Sequence, residues 1–198
     1  MEEGEDRTAR FYADNASAYA AHRSDTGTER LEHFLALLPP DADILELGCG
    51  SGRDSAWMLD RGLRVTPTDG TPEMAAEATR RLGMEVAVLR FEDINMVEAY
   101  HGIWANACLL HVPRAELSDI LRKIHAALGT GGVFYASFKA GEAEGLDGLG
   151  RYYNYPSREW LLHLYQGLPW ASVEMEESVG GAYDRQPTDW LYVTAVKR

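Results

Sequence analysis

Cysteine is nearly absent. The 198-residue chain holds two, Cys49 and Cys108, too few for a disulfide framework or a zinc site. Cys49 stands in a glycine-rich turn and Cys108 just after an apolar run, so both read as small packing residues rather than nucleophiles. Long apolar runs are missing: none reaches the length that spans a bilayer. The segment Glu2-Glu3-Gly4-Glu5-Asp6 is opposite in character to a secretion signal. The expected compartment is therefore the cytoplasm, with no membrane partner. Positive charge is also short, with 19 Lys and Arg against 31 Asp and Glu and a net charge of −12. An acidic surface repels phosphate backbones, which argues against stand-alone nucleic-acid binding. No internal repeat or low-complexity tract interrupts the chain, and no Cys/His set suggests a metal site.

What is present describes a soluble globular protein, 45% hydrophobic and 25% charged. The length suits one domain over residues 1–198. Its first 40 residues read as helical, with segments 8–22 and 29–38, the second stopped by Pro39-Pro40. Strands then alternate with helices. Strands are expected at 43–47, 64–68, 85–89, 102–106 and 133–138, with two late ones at 171–177 and 191–196. Pro67 is a mild objection to the second, because proline removes a ladder donor. Helices are expected at 54–61, 71–82, 114–128 and 157–166, with Gly83 and Gly129 as C-caps and Ser157 as an N-cap. Such alternation makes a mostly parallel sheet covered on both faces, with its ligand beyond the carboxyl ends of the strands.

The richest local signal is Glu46-Leu47-Gly48-Cys49-Gly50-Ser51-Gly52-Arg53-Asp54. A short strand enters a helix through three alternating glycines, which lets a ligand approach the backbone closely. A dinucleotide fingerprint would place its third glycine one position later, where Arg53 stands. Downstream, Asp69 ends the second strand. A carboxylate there can accept both ribose hydroxyls of an adenosine ligand, or it can be an ordinary Asp-Gly turn residue before Gly70.

Glu46-x-Gly48-x-Gly50-x-Gly52 resembles motif I of the class I S-adenosylmethionine (SAM) methyltransferases. The resemblance runs in order over about residues 8–140. It implies a Rossmann-like α/β fold: a seven-stranded sheet with its last strand antiparallel, helices on both faces and an N-terminal helical cap. Residues 1–40 would be the cap, 41–140 the SAM-binding core, and 141–198 a substrate-side loop with the late strands. It further implies SAM contacts from Tyr19, Glu46, Gly48, Cys49, Gly50, Gly52, Asp69, Gly70 and Met74. Asp93 would accept from the adenine amino group, with Ile94 against the ring. Asn106 would stand near the methionine end and the reacting atom. The segment Leu109-Leu110-His111 resembles one found in several small-molecule methyltransferases.

An imidazole titrates near neutrality and can take a proton from a nucleophile, so His111 is the candidate general base; its alternative is a structural role in the loop. Residues 141–155 form a loop too long for a simple connection and read as a lid or substrate wall. Its Tyr153 can pack on an apolar acceptor and its Arg151 can pair with a carboxylate. Phe11, Tyr12 and Tyr19, with His22 and Arg23, resemble the family's cap, and Tyr12 is a candidate acceptor contact.

The chemistry implied is transfer of a methyl group from SAM to an acceptor by direct displacement, leaving S-adenosylhomocysteine. No Asn/Asp-Pro-Pro-Tyr/Phe follows the fourth strand, which disfavours amino-methylation of nucleic-acid bases, and no Pro-Cys pair stands there for cytosine C5 chemistry. No acidic cluster suits a metal-dependent catechol enzyme. A small molecule is therefore the expected acceptor. A SAM-binding sensor or partner subunit without turnover, and a nicotinamide oxidoreductase, are the alternatives from other classes.

Overall fold

The computed structural model describes residues 2–21, 28–181 and 187–198, with residues 2–6 in their backbone only. His22 and Arg23, expected in the cap, lie outside the described residues. Seven strands form one sheet: β1 Asp43–Glu46, β2 Arg64–Asp69, β3 Ala87–Val88, β4 Tyr100–Ala105, β5 Leu128–Lys139, β8 Trp170–Gly180 and β9 Thr188–Lys197. Their spatial order is β3-β2-β1-β4-β5-β9-β8. The first five pair in parallel, and β9 runs antiparallel to both β5 and β8. The fold is the Rossmann-like sheet expected, with the reversed strand in place.

Alternation along the strands divides the core, because successive side chains point to opposite faces. Leu45, Ile103, Phe134 and Phe138 join one buried cluster with α5 (Arg114–Ala127) and α6 (Arg158–Gln166). Ile44, Trp104, Val133 and Tyr135 join the other with α2 (Glu29–Ala36) and α3 (Arg53–Leu59). Helix α5 presents Leu117, Ile120, Leu121 and Ile124 on one stripe, the spacing its sequence carries. The remaining helices are α4 (Pro72–Leu82), with Gly83 as its left-handed C-cap, and α1 (Glu2–Ala21), which lies against α4. Ser157 caps α6 by accepting the Trp160 N–H.

Three boundaries differ from the sequence reading. Gly129 does not cap α5: the chain turns extended at Leu128 and continues as β5, with a register shift opposite Tyr100 and Gly102. β3 is a two-residue edge strand pairing only with Thr68 and Asp69, so Pro67 lies outside that ladder. The 141–155 segment is partly regular: β6 (Gly145–Leu146) and β7 (Tyr152–Tyr153) form an antiparallel ribbon. Asn154, fully buried, pins that ribbon to the β4–α5 connection. Its Nδ2 donates to the Leu109 and Val112 carbonyls at 2.9 and 3.0 Å, and its backbone N–H to Leu110 at 2.8 Å. Among the described residues, no helix is long and apolar enough to cross a membrane.

Candidate active site

Strand order reverses between β1 and β4, and open α/β sheets bind ligands at such a point. A cavity of about 610 Å³ stands there, walled by the β1–α3 turn, the ends of β2 and β4, α1 and the β6–β7 ribbon. Gly48, Gly50 and Gly52 all have positive φ, at 62°, 58° and 74°. Gly48 has a second constraint: a Cβ there would stand 2.5 Å from Cys108 Cβ. Cys108 is thus the floor under the glycine turn, its thiol donating to the Leu47 carbonyl and pushed up in pKa by burial. Gly48, Cys49 and Gly50 reach the cavity. Gly52 does not; a Cβ there would meet Leu82 Cδ1 at 3.1 Å, so this glycine admits α4 rather than a ligand.

Asp69 closes the turn from the β2 side. One carboxylate oxygen accepts the Gly50 N–H and the other the Thr71 N–H, both at 2.9 Å. The Thr71 side chain bonds the carboxylate as well, and the residue borders the cavity beside Gly70 and Met74. Burial raises its pKa to about 6, against the lowering effect of its two backbone donors. Glu46 lies deeper, accepting the Ser55 hydroxyl. Burial, and then the neighbouring Asp54 charge, push its pKa up to about 8, so it is protonated at neutral pH.

Asn106 follows β4 directly, at the cavity wall. Its Nδ2 donates to Asp54 at 3.2 Å, and its Oδ1 accepts from Ser137 Oγ at 2.8 Å. The Ser137 oxygen in turn accepts the Ala107 N–H at 2.8 Å, which fixes the direction of the whole chain. Ala107 has φ 54°, a strained conformation for a residue with a Cβ, and these bonds hold it.

His111 is half-buried at the cavity wall, between two partners. Nδ1 lies 2.6 Å from the Tyr152 carbonyl and Nε2 3.0 Å from the Tyr12 hydroxyl. A carbonyl only accepts, so Nδ1 carries the proton and Nε2 accepts from Tyr12. Desolvation holds the imidazole pKa down at about 4, keeping it neutral. Around it stand Tyr12 and Tyr19, edge to face at 5.2 Å, and Tyr153, 4.6 Å from the imidazole centroid. All three tyrosines line the cavity.

Besides Gly52, two further expectations are corrected. Asp93 and Ile94 do not face the cavity. The single 3-10 turn Phe91–Asp93 directs Phe91 and Glu92 there, leaves Asp93 exposed and sinks Ile94 into the α5-side core. Arg151 lines the cavity but is already matched: it is 2% exposed and grips Asp147 through Nε and Nη2 at 2.9 and 2.7 Å. Its guanidinium lies 4.9 Å from the Phe11 ring centroid, so it ties α1 to the ribbon. Asp54, Ser55, Ser137 and Asp147 were not singled out from the sequence. Only Asp54 and Ser55 carried a signal, as polar residues in the first turn after the glycines.

Residues 44–132 match the family described as Methyltransferase domain. Similar solved structures include a SAM-dependent methyltransferase from Methanosarcina mazei, with TM-score 0.75 and 16% identity over 83% of this chain and 96% of that one. A second is 1,6-didemethyltoxoflavin-N1-methyltransferase from Burkholderia thailandensis, solved with 1,6-didemethyltoxoflavin and S-adenosylhomocysteine. It has TM-score 0.75 and 22% identity over 98% of this chain and 86% of that one. A third is phosphoethanolamine N-methyltransferase 2 from Haemonchus contortus, in complex with SAM, with TM-score 0.71 and 15% identity over 100% of this chain and 57% of that one. No curated protein matches the chain. The match over residues 44–132 makes that part of the chain similar to a methyltransferase domain, and the solved structures share its fold.

Proposed function

We propose that this chain, as a single cytoplasmic domain over residues 1–198, transfers a methyl group from SAM to a small-molecule acceptor. The observation that carries this reading is the joint held by Asp69: left-handed glycines and a carboxylate border one cavity at the sheet's switch point. The donor set fits SAM. Asp69 puts an acceptor carboxylate at the cavity for a ribose hydroxyl, Met74 and Phe91 offer apolar surface to a purine, and Glu46 with Gly48 would meet the amino-acid end. When bound, SAM supplies a methyl group already activated by its sulfonium.

The protein's part is then alignment, exclusion of water and handling of one proton. Alignment alone can lower a barrier by ~7–11 kcal/mol. His111 borders the cavity with its Nε2 covered by the Tyr12 hydroxyl, so Tyr12 is the group that would pass a proton to it. A base with a pKa of about 4 cannot strip an amine or alcohol in advance. With a hydroxyl acceptor it can take the proton that becomes strongly acidic once the oxygen has been alkylated: Tyr12 accepts that proton while passing its own to Nε2 of His111. Arg151, Tyr153 and Tyr12 then serve as acceptor walls. The Burkholderia protein, solved with a small molecule bound, supports the same acceptor class.

Incubation with methyl-labelled SAM and a metabolite extract should yield a labelled product identifiable by mass. Binding of SAM with no labelled product in any fraction would make the chain a sensor or partner subunit instead. Tyr12→Phe should lower turnover about tenfold or more, within the usual range for lost proton transfer, at unchanged SAM affinity. Wild-type turnover in that variant would remove the relay.

A further inference from the structure

Ser137 is a polar residue inside an apolar run, Tyr135-Ala136-Ser137-Phe138, and is only 1% exposed. It does not border the cavity described above. Its hydroxyl is spent on the turn that does. Ala136 is the last β5 residue paired with β4, opposite Ala105. There β4 ends. The Ala107 N–H, which a continuing ladder would give to a backbone carbonyl, goes instead to Ser137 Oγ at 2.8 Å. Ser137 Oγ gives its own proton to Asn106 Oδ1 at 2.8 Å, and a further bond links it to the Tyr135 hydroxyl.

The turn held in this way is unfavourable by itself. Ala107 has φ 54°, a left-handed conformation that its Cβ opposes. The turn delivers Cys108 directly beneath the glycine turn: a Cβ on Gly48 would stand 2.5 Å from Cys108 Cβ and 3.1 Å from its sulfur. The Cys108 thiol donates to the Leu47 carbonyl at 3.1 Å, so it also touches the backbone that leads into Gly48. The position of Cys108 is thus tied to the conformation of Ala107, the residue before it.

We infer that Ser137 is a positioning residue for SAM: by holding Ala107 left-handed from the neighbouring strand, it keeps Cys108 under Gly48 and the glycine turn in its receiving shape. The inference rests on the methyltransferase reading above and adds to it a residue that SAM would not touch. Without the hydroxyl, Ala107 returns to negative φ, the ordinary preference of a residue with a Cβ. Cys108 moves with it, and the floor under Gly48 shifts. Asn106, released by the same loss, keeps only its bond to Asp54 at 3.2 Å.

Calorimetric titration of the full chain with S-adenosylhomocysteine reads the effect without an identified acceptor. Ser137→Ala should weaken binding about tenfold, a difference of ~1.4 kcal/mol. Adding Ala107→Gly to Ser137→Ala should bring affinity back to within about threefold of wild type, because glycine takes positive φ without the bonds. A merely structural serine would show the loss without this rescue. Tyr135→Phe removes only the Tyr135–Ser137 link and should bind as the wild type does. Should Ser137→Ala fail to fold, Ala107→Gly in the otherwise native chain still tests the strain. Its denaturant midpoint should equal or exceed that of the wild type, and a lower one would overturn the inference. So would unchanged affinity in Ser137→Ala, a loss that Ala107→Gly does not recover, or an equal loss in Tyr135→Phe. Wild-type protein that fails to bind S-adenosylhomocysteine at all would instead remove the methyltransferase reading, and the inference with it.

Discussion

Glu46 is the residue whose chemistry departs furthest from its sequence appearance. In the chain it is an acid inside a strand; in the fold it is a carboxylic acid protonated at neutral pH, with a pKa near 8. If a SAM ammonium group lies beside it, binding favours the carboxylate and a proton leaves. Affinity for SAM should therefore rise with pH up to about 8 and level off above it, by at most about tenfold per unit. Calorimetry between pH 6 and 8.5, in buffers of different ionisation enthalpy, reads the released proton directly. A pH-independent affinity with no proton released would place the ammonium elsewhere. Asp69 was legible because its position at a strand end needs only strand boundaries. Its two backbone donors were not, since they depend on how the glycine turn folds back onto β2. Asp93 was misplaced for a simple reason. Residues in a 3-10 turn are about 120° apart, so a one-residue error in phase exchanges a cavity residue for a surface one.

At the level of elements, the alternation of strands and helices was readable from periodicity, and the glycine turn from its spacing. The contacts of α1 were not, because they are made to residues far along the chain. Thr8 accepts the Tyr152 N–H at 2.8 Å, while Tyr12 reaches the Tyr152 carbonyl through His111. Both residues lie on one face of α1, and together they clasp a single residue of the ribbon. This makes docking of α1 sensitive to protonation. The docked imidazole has a pKa near 4 against 6.5 for an exposed one. A depressed histidine pKa favours the neutral form, so docking is at full strength above pH 6.5 and weakens as pH falls towards 4. Hydrogen exchange of the α1 amides, corrected for intrinsic rates, should lose protection over that window. In His111→Leu the same amides should be less protected and show no such window; an identical pH profile would remove the clasp. At the α3–α4 joint, Gly52→Ala puts a Cβ 3.1 Å from Leu82 at φ 74°. Denaturant unfolding should report a loss of ~1–3 kcal/mol. An unchanged midpoint would mean that the joint relaxes.

For the molecule as a whole, the parallel sheet gathers residues from distant parts of the sequence at one edge. Glu46, Asp69 and Lys139 end three different strands, Asn106 follows a fourth, and all reach one cavity. That convergence explains why strand ends alone pointed to so much of the site, and why residues in the ribbon and in α1 needed the fold. The central claim is that the glycine turn and the Asp69 carboxylate jointly hold the adenosyl part of SAM. Crystals of the full chain grown with S-adenosylhomocysteine test it most directly. The account predicts ligand density in the 610 Å³ cavity, with ribose oxygens ~2.5–3.0 Å from the Asp69 carboxylate. A vacant cavity at saturating ligand, or a nucleoside bound away from Asp69, would contradict it.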